Sequence, residues 1–207
     1  MRAAATVFVV DDDASVRKSL TRLLEAAGYT VEAFASAREF LDAARAPGPS
    51  CLVLDLRMPG ISGLDLQKTL AQAVHRIPIV FVTGHGDIPT SVRAMKAGAI
   101  DFLTKPYGAK DLLNAIRRGL DNDTRDLGRE ARTRSIHARV ATLTPRERQV
   151  FALVVTGMLN KQIAAQLGVV EKTVKVHRAR VMDKMRARSV AELVRLADDV
   201  GVIVATG

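Results

Sequence analysis

Short apolar runs that each end at a polar residue dominate the first half of the chain. The runs cover residues 6–10, 51–54, 79–82 and 100–103, and the polar residues at or near their ends are Asp11, Asp12, Asp55, Thr83 and Lys105. Continuous apolar runs of this length are typical of strands buried in a parallel sheet. Because open α/β sheets bind ligands just outside the carboxyl ends of their strands, these polar side chains are predicted to form one acidic pocket.

Segments with helical spacing separate the apolar runs. In the first of them Val16, Leu20 and Leu24 share one helix face, Gly28 follows as a stop signal, and Asp13 is the predicted N-cap. A further strand is predicted over 29–34, and helices are predicted over 14–27, 37–45, 64–74, 89–97 and 110–120. Strict alternation of strands and helices favours a parallel sheet covered on both faces. Residues 1–120 are therefore predicted to form a parallel (βα)5 domain. The expected fold class is flavodoxin-like, whose strand order 2-1-3-4-5 would make the first and third strands neighbours.

The composition is that of a globular protein, with 207 residues of which 48% are hydrophobic and 26% are charged. No apolar stretch approaches the roughly 20 residues that a bilayer crossing requires, so no membrane partner is expected. The first residues lead directly into the first predicted strand, which argues against a signal peptide. The single cysteine, Cys51, allows no internal disulfide, and the predicted location is the cytoplasm.

Positive charge is concentrated in the second half of the chain. The net charge is +9, and residues 140–190 carry 10 Lys and Arg against 3 Asp and Glu. Such a basic segment indicates a polyanionic partner, although charge alone does not choose among DNA, RNA and a membrane surface.

The second half is predicted to be helical. Residues 121–139 are rich in arginine and poor in large apolar residues, so they are interpreted as a linker with some helical character. Thr144 and Glu147 form a capping-box pattern with Pro145 at the first helical position. Further helices are predicted over 161–167, with Asn160 as its cap, and over 171–185 and 190–199. Two short helices joined by a tight turn, the second of them basic, indicate a four-helix helix-turn-helix domain over 140–207.

The predicted pocket suits a divalent cation and a phosphoryl group. Neighbouring carboxylates repel one another unless a cation lies between them, and Mg2+ prefers such oxygen ligands. Asp55 could then act as a carboxylate nucleophile and form an aspartyl phosphate. Thr83 and Lys105 could hydrogen-bond and neutralise the phosphoryl oxygens. Flavin binding is disfavoured because three aspartates occupy the first turn, and an Asp-x-Asp phosphatase is disfavoured because residue 57 is arginine.

The pocket motifs resemble those of a bacterial response-regulator receiver domain, of the FixJ branch. The motifs that carry the resemblance are Val9-Val10-Asp11-Asp12-Asp13, Asp55-Leu56-Arg57-Met58-Pro59-Gly60, Thr83-Gly84-His85-Gly86-Asp87 and Lys105-Pro106. The resemblance implies that a sensor histidine kinase phosphorylates Asp55. It also implies Mg2+ ligation by Asp12 directly, by Asp11 through water, by Asp55 and by the main-chain carbonyl of Arg57.

Two further expectations come from the same resemblance. One is a cis peptide bond before Pro106, and the other is a switch in which Thr83 and Phe102 rearrange together. A dimer face that includes Val92 and Met95 is carried over from the family as a hypothesis. The chain would be a phosphoacceptor rather than an enzyme that acts on an external substrate.

The helical segment is similar to the LuxR-type DNA-binding domain. The residues that carry this similarity include Thr144, Arg146-Glu147, Gly157, Asn160-Lys161-Gln162-Ile163-Ala164 and Thr173-Val174-Lys175-x-His177. By this similarity Lys175 and Val176 are candidates for base contact, and the predicted DNA-binding residues also include Lys172, Thr173, Arg178 and Arg180. Val170 stands where relatives usually carry a serine or threonine cap, and Ala179 replaces a position that is often basic.

Together the two resemblances predict a two-component transcriptional regulator. Phosphorylation of Asp55 would promote a homodimer that binds promoter DNA, with RNA polymerase as a further partner. Two alternatives stay open: a phosphotransfer protein whose basic module binds another protein, and a constitutive DNA-binding protein whose first domain is only structural. A hydrolytic enzyme is the least favoured, because the sequence offers no substrate cleft beyond the phosphoryl site.

Overall fold

The computed structural model describes residues 5–44, 47–73, 75–84 and 87–201 of the chain. The chain folds as two compact units, an N-terminal unit, Met1–Leu127, and a C-terminal unit, Gly128–Gly207. Within the described ranges, no helix combines the length and the apolar character that a membrane-spanning segment requires.

The N-terminal unit is built on a five-stranded parallel sheet. Its strands are β1 Thr6–Val10, β2 Thr30–Phe34, β3 Ser50–Asp55, β4 Ile79–Thr83 and β5 Asp101–Thr104. The strand order is β2-β1-β3-β4-β5, so β1 and β3 are neighbours at the centre of the sheet. This order confirms the fold class predicted from the sequence. Because β3 and β4 each extend one residue further than predicted, Asp55 and Thr83 are the last residues of their strands.

The helices of this unit begin at the capping residues that the sequence offers. They are α1 Ala14–Ala26, α2 Ala37–Asp42, α3 Gly63–Leu70, α4 Ile88–Lys96 and α5 Ala109–Ala141. Asp13 caps α1 as predicted, since its side chain accepts hydrogen bonds from the main-chain N–H groups of Ser15 and Val16. Helices α2 and α3 are shorter than predicted. Residues 45 and 74, at the ends of the predicted ranges, lie outside the described residues.

The two faces of the sheet are buried in separate apolar clusters. Phe8 and Phe81 lie in the cluster on one face, while Val7, Val9 and Val53 lie in the cluster on the other. Successive strand residues point to opposite faces, so a strand buried on both sides must be apolar throughout. The apolar runs are therefore continuous because helices pack on both faces of the sheet. The polar residues come where each buried strand ends.

Helix α5 packs closely on β3 at Gly119. A Cβ atom at this position would lie 2.7 Å from the sulfur of Cys51 and 3.4 Å from Cβ of Pro78. A buried sulfur cannot yield that much space without displacing its neighbours, so the absence of a side chain at Gly119 allows the helix to approach the sheet.

We expect Gly119→Ala to destabilise the N-terminal unit by about 1–2 kcal/mol, because the overlap outweighs the roughly 1 kcal/mol helix preference of alanine over glycine. Adding Cys51→Ala removes the sulfur, so the double variant should be more stable than the sum of the single changes by about 1 kcal/mol or more. Urea unfolding of the four proteins measures this coupling. Gly128→Ala is the matched control, since a Cβ there meets no atom within 4 Å. A coupling near zero would contradict the predicted overlap.

The C-terminal unit is helical throughout its described residues. The end of α5 is followed by α6 Pro145–Val155, α7 Asn160–Leu167, α8 Glu171–Met185 and α9 Val190–Asp199. The predicted capping box of α6 is present, because Thr144 and Glu147 exchange side chain to main chain hydrogen bonds. Helix α8 buries Val174, Val181 and Met185, the face that the sequence assigned to the core. These helices surround one apolar cluster that also contains Ile136 of α5.

Residues 121–139, interpreted from the sequence as a linker, lie within helix α5. Two of their side chains are buried, although large apolar residues are scarce in this stretch. Asp123 belongs to the N-terminal unit, where the main-chain N–H of Ser50 donates to it at 2.7 Å and His75 Nε2 lies 2.9 Å away. Burial raises the pKa of Asp123. Ile136 belongs to the core of the C-terminal unit.

The predicted capping role of Asn160 is wrong. Asn160 is the first residue of α7 and the preceding residue, Leu159, occupies the N-cap position without a capping hydrogen bond from its side chain. The Asn160 side chain instead accepts a hydrogen bond of 2.9 Å from Arg178 of α8. This bond joins the two helices of the helix-turn-helix and draws the amide away from its own helix end.

Candidate functional site

The predicted pocket residues lie at the carboxyl edge of the sheet. Asp11 follows β1 directly, Asp55 ends β3 and Thr83 ends β4, and all three are buried. Lys105 follows β5, and its main-chain N–H donates to the carbonyl of Thr83 at 2.7 Å. Because β1, β3, β4 and β5 are successive neighbours in the sheet, their ends bring these residues to one place.

The Lys105 ammonium bridges the two buried carboxylates. Its Nζ atom lies 2.8 Å from Asp11 Oδ2 and 3.2 Å from Asp55 Oδ1. The second oxygen of Asp55 accepts a 2.6 Å hydrogen bond from the main-chain N–H of Arg57. The second oxygen of Asp11 accepts a 2.9 Å hydrogen bond from the main-chain N–H of Asp13. The two carboxylates are thus held from both sides, by a cation and by the main chain.

The electrostatics of the pocket favour a further cation. Burial raises the pKa of Asp55, and the hydrogen bonds from Arg57 and Lys105 do not offset this effect fully. Burial alone would lower the pKa of Lys105, but the hydrogen bonds and negative charges of Asp11 and Asp55 outweigh it and raise that pKa. Lys105 therefore stays charged at neutral pH, while the negative charge of Asp55 is still incompletely compensated.

A magnesium ion fits this donor set. Among the described residues no three His, Cys, Asp or Glu side chains form a ready metal cluster. Mg2+ does not require one, because it commonly binds one or two carboxylates and keeps several water ligands. Asp11 and Asp55 supply two carboxylates. The remaining predicted ligands are Asp12, which is exposed and follows Asp11, and the main-chain carbonyl of Arg57, two residues after Asp55.

The other predicted switch residue lies near the pocket strands. The Phe102 ring of β5 is half-buried and its centroid lies 6.0 Å from that of Phe81 on β4. The peptide bond between Lys105 and Pro106 is cis, as the resemblance implied. His85 and Gly86 of the quoted motif lie outside the described residues.

Two further residues shape the pocket, and Arg17 is the one that the sequence did not reveal. Arg17 of α1 donates a 2.7 Å hydrogen bond to the main-chain carbonyl of Asp11. Gly63 begins α3, and a Cβ atom there would lie 2.4 Å from the main-chain oxygen of Asp55. Glycine at 63 therefore lets α3 begin directly against the end of β3. The only sequence signal for Arg17 is its spacing, one helical turn after the N-cap Asp13.

The helix-turn-helix consists of α7, the turn at Gly168 and α8. Gly168 has a left-handed conformation with φ of 63°, which ends α7 and starts the turn. The predicted DNA-binding residues differ in exposure. Lys172, Lys175, Val176 and Arg180 are exposed, Thr173 is half-buried at the helix start, and Arg178 is half-buried against Asn160.

Several cations of the C-terminal unit serve internal contacts. Arg139 donates to the carbonyl of Met185 at the end of α8, and Arg146 donates to the carbonyl of Leu167 at the end of α7. Cations near helix carboxyl ends satisfy carbonyls that lack an intrahelical partner. Part of the basic charge counted in the sequence thus stabilises the fold.

Lys184 of α8 forms an ion pair within the C-terminal unit, at 2.6 Å from Oε2 of the buried Glu147. The Lys184 hydrogen bond, together with the main-chain N–H of Thr144, lowers the pKa of Glu147 from 4.5 to about 2. A carboxyl group whose pKa is lower in the folded state stabilises the fold fully above its unfolded pKa. That contribution is lost as the pH falls from about 4.5 to about 2.

Glu147→Gln should therefore lower the thermal stability of the C-terminal unit at pH 7 and flatten its dependence on pH below 4.5. Thermal unfolding followed by circular dichroism between pH 7 and pH 2 measures both effects. Glu171→Gln is the control, because its ion pair with Lys175 is exposed and exposed pairs contribute little. Parallel acid profiles for wild type and Glu147→Gln would show that the Lys184 pair does not stabilise the fold.

Comparisons with known proteins match a family to each of the two units of the chain. The response regulator receiver domain family matches residues 7–117, and the luxR family of bacterial regulatory proteins matches residues 141–197. Nodulation protein W of Bradyrhizobium diazoefficiens is 50% identical over 198 residues, which cover 96% of this chain and 87% of that protein. FixJ of Azorhizobium caulinodans is 46% identical over 203 residues, which cover 98% of this chain and 96% of that protein.

Solved structures show the same relationship. The response regulator StyR is 50% identical, with a TM-score of 0.86, and the match covers 95% of this chain and 99% of that one. Full-length FixJ from B. japonicum is 42% identical, with a TM-score of 0.57 and coverage of 98% and 100%.

The sheet with its acidic pocket and the helix-turn-helix define a receiver domain joined to a DNA-binding domain. The chain belongs to the response regulators of two-component systems, in the group that carries a LuxR-type DNA-binding domain. The assignment to the FixJ type made from the sequence is confirmed. This family implies a sensor kinase and DNA as partners, and its receiver domains generally bind Mg2+.

Proposed function

We propose that Asp55 accepts a phosphoryl group from a sensor histidine kinase, and that this modification promotes dimerisation and promoter binding. The observation that carries the proposal is the position of Lys105 Nζ between the carboxylates of Asp11 and Asp55. Because the Lys105 ammonium already contacts both carboxylates, it is placed to hydrogen-bond a phosphoryl oxygen once Asp55 carries a phosphoryl group.

In the proposed step a carboxylate oxygen of Asp55 attacks the phosphorus of a phosphohistidine. The new O–P bond forms as the N–P bond breaks, and the leaving imidazole takes up a proton. Lys105 is within reach to neutralise a phosphoryl oxygen, because its Nζ lies only 3.2 Å from Asp55 Oδ1. Thr83 ends the adjacent strand and is the candidate hydrogen-bond donor to a second oxygen.

Mg2+, when bound, would reduce the repulsion between the incoming phosphoryl group and the carboxylates of the pocket. Asp11, Asp12, Asp55 and the carbonyl of Arg57 are the proposed ligands. Since the phosphoryl group ends on the protein's own Asp55, the chain is a phosphoacceptor and not an enzyme for an external substrate.

The test is phosphorylation of the intact protein with acetyl phosphate and Mg2+. The protein mass should rise by one phosphoryl group, and peptide mapping should assign the group to Asp55. Binding to a promoter fragment recovered by selection from genomic DNA should become tighter in the same sample. An unchanged mass would refute the proposal, and an increased mass with unchanged DNA affinity would favour a constitutive DNA-binding protein.

The proposed dimer face lies on α4. Ile88 is 80% exposed, Val92 43% and Met95 44%, and they are three of the six exposed large apolar residues among those described. Apolar side chains grouped on the exposed face of one helix are typical of a contact surface. Transcription from a dimer bound at a promoter would further involve contact with RNA polymerase.

Val92→Glu is expected to keep the phosphorylated protein monomeric, because it would bury a charge in the dimer contact. Light scattering of the phosphorylated variant and wild type measures the mass in solution. Val176→Glu, an equally exposed valine on α8, is the matched control and should still dimerise. A phosphorylated Val92→Glu protein that remains dimeric would exclude this face.

A further inference from the structure

Arg17 makes a hydrogen bond to the main chain of the acidic pocket. The residue lies in α1 and is half-buried, and its Nη1 atom donates to the main-chain carbonyl oxygen of Asp11 at 2.7 Å. A guanidinium donor gives a shorter and stronger hydrogen bond than a neutral donor does. The contact ties the first helix to the point where β1 ends.

The Asp11 carbonyl stands just beyond the last paired residue of β1. The ladder with β2 ends at Val10 and Phe34, and the ladder with β3 ends at Val10 and Leu54. The Asp11 N–H still donates to the carbonyl of Phe34 at 3.3 Å. A buried carbonyl past the end of a ladder needs another partner, and Arg17 provides one.

Arg17 and Lys105 hold Asp11 in different ways. Lys105 contacts carboxylate oxygens of Asp11 and Asp55, the atoms that a cation and a phosphoryl group would also contact. Arg17 donates to the main chain of Asp11, whereas the carboxylate accepts from Lys105 and from the N–H of Asp13. If Lys105 turns towards a phosphoryl oxygen, Arg17 and the N–H of Asp13 still hold Asp11 in place.

We infer that Arg17 is a positioning residue for divalent-cation binding, because it fixes the turn at residues 11–12 through the Asp11 carbonyl. This inference rests on the proposed phosphoacceptor function and adds a residue outside the predicted ligand set. Removing a group that orients a metal ligand typically weakens metal binding about 10–100-fold. Because Arg17 acts through the main chain, its removal should weaken metal binding by a factor near the lower end of that range.

The inference is tested with Arg17→Met, which removes the donor and the charge, and with Arg17→Lys, which keeps the charge and one donor group. Arg22→Met is the control, since Arg22 is exposed on the same helix and its loss changes the net charge equally. Binding of Mn2+ to the intact unphosphorylated proteins is measured by electron paramagnetic resonance, with Mg2+ as competitor. The Mg2+ concentration for half-maximal phosphorylation by acetyl phosphate is measured separately from the maximal rate.

We expect Arg17→Met to bind Mn2+ about 10-fold more weakly than wild type and to need correspondingly more Mg2+. The maximal rate should change little, Arg17→Lys should recover most of the affinity, and Arg22→Met should match wild type. Metal binding by Arg17→Met that equals or exceeds that of Arg22→Met would overturn the inference. A Lys variant that binds Mn2+ about 10-fold more weakly than wild type would also overturn it, and this comparison with wild type decides the matter if Arg17→Met does not fold.

The same experiment separates this inference from the proposed function. If wild type neither binds Mn2+ nor becomes phosphorylated by acetyl phosphate, the phosphoacceptor proposal itself fails. If wild type does both and Arg17→Met behaves as wild type does, only the role of Arg17 is refuted.

Discussion

Asp55→Asn is expected to reduce phosphoryl incorporation from acetyl phosphate by at least about 100-fold. The amide that replaces the carboxylate is a poor nucleophile, and removal of a nucleophile abolishes most of the reaction it performs. Asn keeps the size of the side chain and an oxygen that can accept the hydrogen bond from the Arg57 N–H. The loss should therefore reflect chemistry and not a change in the fold.

The stability of Asp55→Asn provides an internal check. Burial raises the pKa of Asp55, so the ionised side chain is less favourable in the folded protein than in the unfolded chain. A neutral amide removes this penalty at pH 7, and the thermal midpoint of the variant should equal or exceed that of wild type. As the pH falls and Asp55 becomes protonated, the two midpoints should converge.

The measurement combines mass spectrometry of the intact protein with thermal unfolding between pH 7 and pH 4. Asp42→Asn is the matched control, because Asp42 is exposed and pairs with Arg38 on the same helix. That control should incorporate phosphate as wild type does. Equal incorporation by Asp55→Asn and wild type would place the phosphoacceptor at another residue.

The sequence allowed the pocket to be predicted because each of its residues is tied to a strand end. Once the apolar runs are taken as parallel strands, the sheet edge where Asp11, Asp55 and Lys105 meet follows from topology alone. The buried face of α8 was predictable for a similar reason, since Val174, Val181 and Met185 repeat with helical spacing. The strand and helix ends were less predictable, and β3 begins one residue before its apolar run.

Contacts between polar residues far apart in the sequence could not be predicted in this way. Asp123 bonds to Ser50 across 73 positions, and no apolar period marks either residue. Residues 121–139, predicted as a linker with some helical character, are helical throughout, and helix-forming residues such as Ala, Arg and Leu favour this state. The hydrogen bond from Arg178, a predicted DNA-binding residue, to Asn160 is likewise a contact that no sequence period marks.

A second quantitative prediction concerns DNA binding by the double variant Lys172→Ala, Lys175→Ala. Both lysines are exposed near the start of α8, where a recognition helix contacts DNA. Each lysine that neutralises a phosphate lowers the slope of log affinity against log salt concentration by about 0.9. Losing two such contacts should weaken binding to duplex DNA about 10–100-fold and make the slope less negative by nearly two.

Fluorescence anisotropy with a random-sequence duplex, measured from about 50 to 200 mM NaCl, gives both quantities. The control is Arg195→Ala with Lys110→Ala, which removes the same charge from exposed positions outside α8. If net charge alone drives binding, the two double variants will lose equal affinity and the helix-turn-helix assignment of these lysines will fail. If α8 carries the contact, only the α8 variant will change the slope. With a selected promoter fragment the loss should be larger still, because Lys175 is also the candidate for base contact and base contacts add discrimination that phosphate contacts lack.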